Sequence, residues 1–310
     1  MCKKILIVIL MAIFVQLKCF AQHINVAFTI DKNYPIFTQI VIFSILENNL
    51  SKNHYNFYIV ENNMTKRQKT EMQKFVEERG HSILFIHTST DKIDKGINVY
   101  KNKFIDGRIT RIGMARLLLP EILPKSVHRV IYLDSDVIVS DDIAKLYNTD
   151  LKNNPIGMVY DIYSIIVYNN PGYYNSGVIL MDIDKCREEK ITEEIIAYFH
   201  KKMYMFLGER PVYLGADQDL LNIVLKNRTT TLPFKWNILT NEYGPSLKNP
   251  NGIFHYIGPL KPWRFEKKTK NAYSLYYEYW DKSPLKKYKL IYYLKYQVFG
   301  KVVSFLFGNH

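Results

Sequence analysis

Short apolar runs alternate with runs of helical spacing along the first half of the chain, and this alternation is the strongest constraint on its fold. Apolar runs typical of buried strands lie at 24–30, 55–60, 82–87, 129–133 and 156–160. Helical spacing lies at 36–48, 65–79 and 111–119, and the polar stretch 88–107 predicts a loop. The helix at 111–119 is expected to end before Pro120. Together these patterns predict an α/β fold with a mainly parallel sheet covered by helices.

The sequence Asp134-Ser135-Asp136 follows directly after the apolar run 129–133. Ligands of parallel sheets bind outside the carboxyl ends of the strands, which is where this pair would lie. Two carboxylates one residue apart can reach the same cation, and carboxylates suit Mg²⁺ or Mn²⁺, which in turn bridge diphosphate oxygens. A simple turn is the alternative interpretation of these three residues.

Five stretches, in order along the chain, together resemble glycosyltransferase family 8, which includes bacterial lipopolysaccharide glucosyl- and galactosyltransferases and the glycogenins. They are AFTIDKNY at 27–34, RLLLP at 116–120 followed by RVIYLDSD at 129–136, YNSGVIL at 174–180, ADQDLLN at 216–222 and HYIGPLKPW at 255–263. The resemblance spans about 24–280 and implies a single Rossmann-like domain of the GT-A type with a mixed, mainly parallel sheet. It also implies a metal-dependent hexosyltransferase that uses Mn²⁺ or Mg²⁺ to move glucose or galactose from a UDP-sugar to a glycan or glycolipid, such as a cell-surface polysaccharide or lipopolysaccharide.

The resemblance also implies a role for individual residues. The metal would be bound by Asp134, Asp136 and His255. Uridine and its surroundings would be contacted by Ala27, Asp31, Asn33, Tyr34 and Ser135. The donor sugar would be contacted by Arg116, Asn175, Asp217 and Gln218, and the diphosphate by Gly258 and Lys261. Asp161 resembles a family carboxylate near the acceptor.

The family retains the anomeric configuration of the donor, which leaves two mechanisms open. One is a same-face substitution in which the leaving phosphate accepts the proton of the acceptor. The other is a double displacement with Asp217 or Asp161 as nucleophile, because Gln218, which the resemblance places beside the anomeric carbon, is a poor nucleophile. A non-catalytic relative that binds a sugar nucleotide or a glycan is the alternative from another functional class.

The first 21 residues resemble a targeting segment. Lys3 and Lys4 precede the apolar run 5–17, and Cys19-Phe20-Ala21 resembles a cleavage site. The run is short for a membrane span, which needs about 20 residues. Segment 1–21 is therefore expected to be a signal peptide or a short anchor, with a buried first strand as the alternative. The protein is expected to be membrane-associated, and the sequence leaves the cytoplasmic face and the secretory route open as its compartment.

The net charge of +13 is concentrated at the end of the chain. Residues 261–310 carry eleven basic and three acidic residues. Residues 21–260, which make up most of the catalytic segment assigned to 22–281, carry a net charge of only +2. A nearly neutral catalytic segment without a recognisable nucleic-acid-binding motif argues against nucleic acid as a partner. The tail 282–310 mixes six lysines with aromatic residues and has no acidic residue. This composition predicts binding to an anionic membrane surface, and a helix packed on the catalytic domain is the alternative.

Overall fold

The computed structural model describes residues 21–88, 111–205, 216–240, 251–266 and 273–299. The targeting segment, apart from Ala21, and the loop expected at 88–107, apart from Thr88, lie outside these residues, as does the end of the tail at 300–310.

A mixed, mainly parallel sheet forms the centre of the described chain. Its seven strands there are β1 (His23–Asp31), β2 (His54–Asn62), β3 (Ser82–His87), β4 (Arg129–Leu133), β6 (Ile156–Tyr160), β7 (Tyr174–Asp182) and β8 (Thr229–Thr231). They lie in the order β3-β2-β1-β4-β7-β6-β8. Only β7 runs against its neighbours, and it pairs antiparallel with both β4 and β6. The predicted α/β class and the predicted mixed sheet are confirmed.

Helices cover both faces of the sheet. They are α1 (Pro35–Glu47), α2 (Lys66–Glu77), α3 (Arg111–Met114), α4 (Leu119–Ile122), α5 (Ala144–Tyr147), α6 (Ile162–Tyr168), α7 (Ile183–Glu188), α8 (Ile191–Met205), α9 (Ala216–Val224), α10 (Ser274–Lys282) and α11 (Lys289–Tyr293). Local sequence explains several ends. Pro35 occupies the first turn of α1, where a missing N–H costs nothing. Thr65 and Gln68 form a capping box on α2.

The single helix predicted at 111–119 is wrong in extent. The chain forms α3, then a 3₁₀ turn at Ala115–Leu118, then α4. Pro120 lies in the first turn of α4, where proline is tolerated, so it begins a helix instead of ending one. The tighter 3₁₀ turn includes the buried Arg116.

A small second sheet completes the edge of the large sheet at which the Asp-Ser-Asp turn lies. Its described strands are β5 (Val137–Val139), β9 (Ile238–Thr240) and β10 (Ile253–Tyr256), in the order β5-β10-β9. His255 pairs with Val137, and the Tyr256 N–H donates to the Asp136 carbonyl over 2.9 Å. This pairing places His255 beside the Asp-Ser-Asp turn, about 120 residues away along the chain.

The C-terminal segment packs one side on the catalytic domain. After α10 come a 3₁₀ turn at Pro284–Tyr288, α11 and a π-helical turn at Leu294–Phe299. The Tyr292 ring lies 4.9 Å from Phe37 and 6.1 Å from Trp280. On the other side, Leu290 and Ile291 are largely exposed. Within the described ranges, we find no helix with the length and apolar character needed to cross a membrane.

Candidate active site

Asp134, Asp136 and His255 form a cluster at the carboxyl edge of β4. One ligand atom from each residue can be chosen so that all three atoms lie within 4.8 Å of one another. His255 Nε2 lies 3.8 Å from Asp134 Oδ2 and 3.3 Å from Asp136 Oδ1. Two carboxylate oxygens and one imidazole nitrogen are a donor set that fits Mn²⁺ well and Mg²⁺ through the oxygens.

The second oxygen of each carboxylate is held by a cation of the protein. Asp134 Oδ1 accepts from the Tyr132 hydroxyl over 2.7 Å and lies 2.9 Å from Arg116 Nη2. Asp136 Oδ2 accepts from Lys261 Nζ over 2.5 Å. The remaining oxygens, Oδ2 of Asp134 and Oδ1 of Asp136, are those nearest His255 Nε2. The surrounding cations therefore orient the two carboxylates so that one oxygen of each lies on the side of His255.

The two carboxyl groups differ in their electrostatic surroundings. Burial acts to raise the pKa of Asp136, but Lys261 and His255 outweigh it and hold that pKa below its usual range. Burial raises the pKa of Asp134, and the neighbouring Asp136 adds to this effect, while Arg116 opposes it. The surroundings therefore favour the charged form of Asp136 more strongly than that of Asp134, and a bound cation would favour ionisation of both.

Gly177 makes room for this cluster. It lies in β7, which passes directly beneath the three ligands, and its carbonyl accepts from the Asp134 N–H over 2.9 Å. A Cβ at this position would lie 2.7 Å from His255 Nδ1 and 3.0 Å from Asp134 Oδ2. Real Cβ atoms essentially never come within 3.0 Å of another heavy atom, so only glycine fits here without displacing His255.

A second cluster, built mainly from amides, lies beside the first. Gln218 Nε2 donates to Asp161 Oδ2 over 3.0 Å. Asn175 Nδ2 donates to Gln218 Oε1 over 3.1 Å and to the same Asp161 oxygen over 3.3 Å. Asp217 Oδ2 accepts from the Ser176 hydroxyl over 2.8 Å. The first turn of α9, the start of β7 and the end of β6 thus bring together the predicted sugar and acceptor residues.

Arg116 joins the two clusters. Its Nε lies 3.1 Å from Asp217 Oδ2, and its Nη2 lies 2.9 Å from Asp134 Oδ1. Nη1 donates to the Ser176 carbonyl over 2.9 Å, and the guanidinium lies 4.6 Å above the Tyr132 ring. Arg116 therefore fixes a predicted metal ligand and a predicted sugar ligand relative to each other. Its predicted contact with the donor sugar stays a prediction.

Asp31, Asn33 and Tyr34, which are predicted to contact uridine, lie at the end of β1 and in the turn that follows it. Asp31 Oδ1 accepts from the Asn33 N–H over 2.7 Å, which shapes the turn into α1. Burial, with Asp136 next in importance, raises the pKa of Tyr34 to about 12, so this phenol stays protonated. Ser135 exchanges a 2.8 Å hydrogen bond with Thr38. Ala27 lies within β1 and is completely buried.

The loop after β10 carries the residues predicted to hold the diphosphate. Gly258 has a φ of +89°, a conformation that favours glycine. Besides Asp136, Lys261 Nζ donates to the Tyr256 carbonyl over 2.8 Å. An ammonium group has three donors, and these two contacts within the described chain leave one for a phosphate oxygen.

Asn237 is a site residue that sequence reasoning missed. It is completely buried, and it lies between His255 and Asn175. A single asparagine between Trp236 and Ile238 has no spacing or composition that marks it. The tight position of Gly177 was likewise missed, although the residue lies inside the YNSGVIL stretch.

The fold and the two clusters define a class, a GT-A type glycosyltransferase. The family whose sequence pattern matches is Glycosyl transferase family 8, over residues 25–267. The chain therefore belongs to glycosyltransferase family 8, and it is a hexosyltransferase.

Individual proteins agree with this assignment. The chain is 25% identical over 268 residues to General stress protein A of Bacillus subtilis, covering 78% of this chain and 87% of that protein. It is 26% identical over 265 residues to the lipopolysaccharide 1,2-glucosyltransferase of Escherichia coli, covering 78% and 73%. A crystal structure of the galactosyltransferase LgtC superimposes with a TM-score of 0.68 at 21% identity, covering 84% of this chain and 96% of LgtC. At that identity the structural likeness shows the shared fold.

Proposed function

We propose that this protein is a metal-dependent, retaining hexosyltransferase that moves glucose or galactose from a UDP-sugar to a glycan or glycolipid of the cell surface. The observation that carries the proposal is the Asp134–Asp136–His255 cluster directly beside the cluster of Gln218 and Asp161. Breaking the glycosidic bond to a diphosphate requires stabilised negative charge on one side and a held sugar on the other. The two clusters have the charge and the hydrogen-bonding groups for these two tasks.

Asp134, Asp136 and His255 would hold the metal, with Mn²⁺ as the first choice. When bound, the metal supplies Lewis-acid stabilisation of the diphosphate leaving group. Lys261 would add a fixed positive charge next to the same phosphates, and Gly258 would allow close backbone approach. Asp217 would accept hydrogen bonds from the sugar hydroxyls, and Asn175 would donate hydrogen bonds to them. The uracil and ribose would be surrounded by Asp31, Asn33 and Tyr34.

The hydrogen bonds around the two acidic candidates favour the same-face substitution. Asp161 Oδ2 accepts from the side-chain amides of Gln218 and Asn175, and Asp217 Oδ2 is paired with Arg116 and Ser176. A carboxylate oxygen that is stabilised by two donors is a weaker nucleophile. Mass spectrometry of trapped enzyme tests this preference, and a glycosyl adduct on Asp161 or Asp217 would instead establish double displacement.

The names of the relatives support the substrate class. One is a lipopolysaccharide 1,2-glucosyltransferase and another a galactosyltransferase, so both candidate donors occur among proteins similar to this chain. A screen of UDP-glucose and UDP-galactose, read out by released UDP, tests donor choice. If no UDP is released from either nucleotide sugar in the presence of Mn²⁺, the alternative is favoured, which is a non-catalytic protein that binds a sugar nucleotide or a glycan.

We also propose that the C-terminal tail binds an anionic membrane surface. Exposed Lys286, Lys287 and Lys295 lie around the exposed Leu290 and Ile291. Each lysine near such a surface contributes about 1 kcal/mol, and exposed apolar side chains add to that attraction. An N-terminal anchor at 1–21 would act in the same direction.

A charge reversal tests the tail better than a deletion, because Trp280 donates to the Leu285 carbonyl and Tyr292 packs on the core. The triple variant Lys286→Glu, Lys287→Glu, Lys295→Glu should lose binding to phosphatidylserine vesicles while UDP-sugar hydrolysis continues. The matched control reverses the exposed Lys125, Lys201 and Lys226. Equal vesicle binding by both variants would refute the role of the tail.

A further inference from the structure

Asn237 joins His255 to the amide cluster through side-chain hydrogen bonds. The residue follows the 3₁₀ turn Phe234–Trp236 and precedes β9, and it has no exposed surface. Its Oδ1 lies 3.1 Å from His255 Nδ1, and its Nδ2 donates to Asn175 Oδ1 over 2.8 Å. A completely buried amide is costly unless all its polar atoms are paired, and here both ends have partners in the site.

The orientation of the Asn237 amide follows from a backbone donor. The Gly177 N–H donates to Asn175 Oδ1 over 3.0 Å, so the Asn175 atom at this position must be the carbonyl oxygen. That oxygen can accept only from the amide nitrogen of Asn237. The oxygen of Asn237 must then face His255, which requires the proton of the neutral imidazole to lie on Nδ1.

This tautomer is the one that a metal ligand needs. With the proton on Nδ1, the lone pair of His255 lies on Nε2, the atom that is 3.3 Å from Asp136 and 3.8 Å from Asp134. Ligating histidines commonly donate their other ring N–H to an oxygen that fixes both tautomer and ring orientation. Asn237 has that position relative to His255.

The same backbone argument extends to the amide cluster. The Ser176 N–H donates to Gln218 Oε1 over 3.1 Å, which turns Gln218 Nε2 toward Asp161. Asn175 Nδ2 donates to Gln218 Oε1, and its orientation depends on Gly177 and Asn237 together. Hydrogen bonds therefore run without a break from His255 through Asn237 and Asn175 to Gln218.

We infer that Asn237 is a positioning residue that holds His255 in its metal-binding tautomer with one end and orients Asn175 and Gln218 with the other. This inference rests on the proposed function, because it assumes that His255 binds the metal and that Gln218 lies beside the reacting sugar. Arg116 links the two clusters through ion pairs, and this buried amide gives them a second connection, through hydrogen bonds.

Two substitutions separate the two ends of Asn237. In Asn237→Asp, a carboxylate still accepts from His255 Nδ1–H but cannot donate to Asn175 Oδ1 once ionised. In Asn237→Leu, both contacts are lost, while the branching of the side chain at Cγ is kept. The control is Asn53→Asp, which changes another buried asparagine whose partners are Gln22 and Asn49, far from both clusters in sequence.

The first measurement is Mn²⁺ affinity without nucleotide, from the free-ion EPR signal at about pH 8, well above the ordinary carboxyl pKa. Losing an outer hydrogen-bond partner of a metal ligand typically weakens affinity by about 10- to 100-fold, which is the expectation for Asn237→Leu. Asn237→Asp should stay within about threefold of the wild type in Mn²⁺ affinity, yet its kcat for UDP-sugar turnover should fall by about tenfold or more with little change in KM.

The outcomes separate this inference from the proposed function. If the folded Leu variant binds Mn²⁺ as the wild type does, or the Asp variant keeps its full kcat, Asn237 has no positioning role. If the wild type itself binds no Mn²⁺, the proposed function fails instead. Should the Leu variant not fold, ¹⁵N NMR of the wild-type imidazole decides, since a proton on Nε2 of His255 would overturn the inference and a proton on Nδ1 would support it.

Discussion

The two clusters of the active site use different chemistry to keep buried polar groups in place. The cluster of Asp134, Asp136 and His255, called the metal cluster after its proposed role, balances carboxylates against cations, with Asp134 facing Arg116 and Asp136 facing Lys261. The amide cluster, called the sugar cluster after its proposed role, balances amides against one another and against Asp161. Carboxylates and cations that are paired with each other can also pair with a divalent cation and a diphosphate when these bind. Neutral amides orient their hydrogen-bond partners without adding charge near a sugar that would develop positive character. In the proposed function, charge lies where the leaving group would form, and directional hydrogen bonds lie where the sugar would be held.

The largest effect is expected from Asp136→Ala in the metal cluster. Removing this ligand forfeits several kcal/mol of leaving-group stabilisation, so transfer should fall on the order of a thousandfold. Measurement of UDP release with saturating Mn²⁺ checks the value. Thermal unfolding serves as the control, and turnover near that of the wild type in a folded variant would remove Asp136 from the metal site.

A smaller loss is expected from Gln218→Ala in the sugar cluster. The amide is one of several groups around the sugar, so the expected fall in kcat is about 100-fold or less. Steady-state kinetics of donor hydrolysis measure this loss. An effect as large as that of Asp136→Ala would mean that the two clusters do not divide the work as described.

The boundary between the clusters is tested by Gly177→Ala. The added Cβ would force His255 and Asp134 apart, so Mn²⁺ affinity should fall by about 10- to 100-fold, the range found when the support of a ligand is lost. Isothermal titration with Mn²⁺ gives the affinity. Thermal unfolding of the variant is the control, because an unchanged melting temperature separates the loss of Mn²⁺ affinity from general destabilisation.

The smallest effect is a shift in pH dependence for Lys261→Met. In the wild type the pKa of Asp136 is lowered, and Lys261 is the main cause of the lowering. The carboxylate is therefore ionised at and above the ordinary pKa of about 3.9, and it is protonated only as the pH falls below that value. Without Lys261, burial acts with less opposition and raises that pKa. Mn²⁺ binding should then disappear at a higher pH than in the wild type. Identical pH profiles of Mn²⁺ binding would show that Lys261 does not control Asp136.

The parts of the fold carried by long, regular patterns were predictable from sequence. The runs at 24–30 and 129–133 became β1 and β4, and the Asp-Ser-Asp turn lies where ligands of such sheets bind. The small sheet was not predictable, because β5 and β9 have three residues each and show no alternation. The helix expected at 111–119 failed because tertiary contacts of Arg116 with Asp134 and Asp217 favour a tighter turn there than local spacing suggests.

The site residues also divide into those that a local sequence pattern marks and those that it does not. His255 and Lys261 were predicted by a stretch of nine residues with a family-like pattern, and both lie at Asp136. Asn237 has its partners 62 and 18 residues away along the chain. Only the folded arrangement brings them together, so no local pattern marks it.

The central claim is that the metal cluster supports transfer from a nucleotide sugar. Its most direct test is release of UDP from UDP-glucose and UDP-galactose by the full chain, first with a chelator and then with Mn²⁺ restored. The account predicts no release with the chelator and recovery with Mn²⁺ in the wild type, and neither state active in a variant with both Asp134→Asn and Asp136→Asn. Equal release with and without metal, or full activity of that double variant, would contradict it.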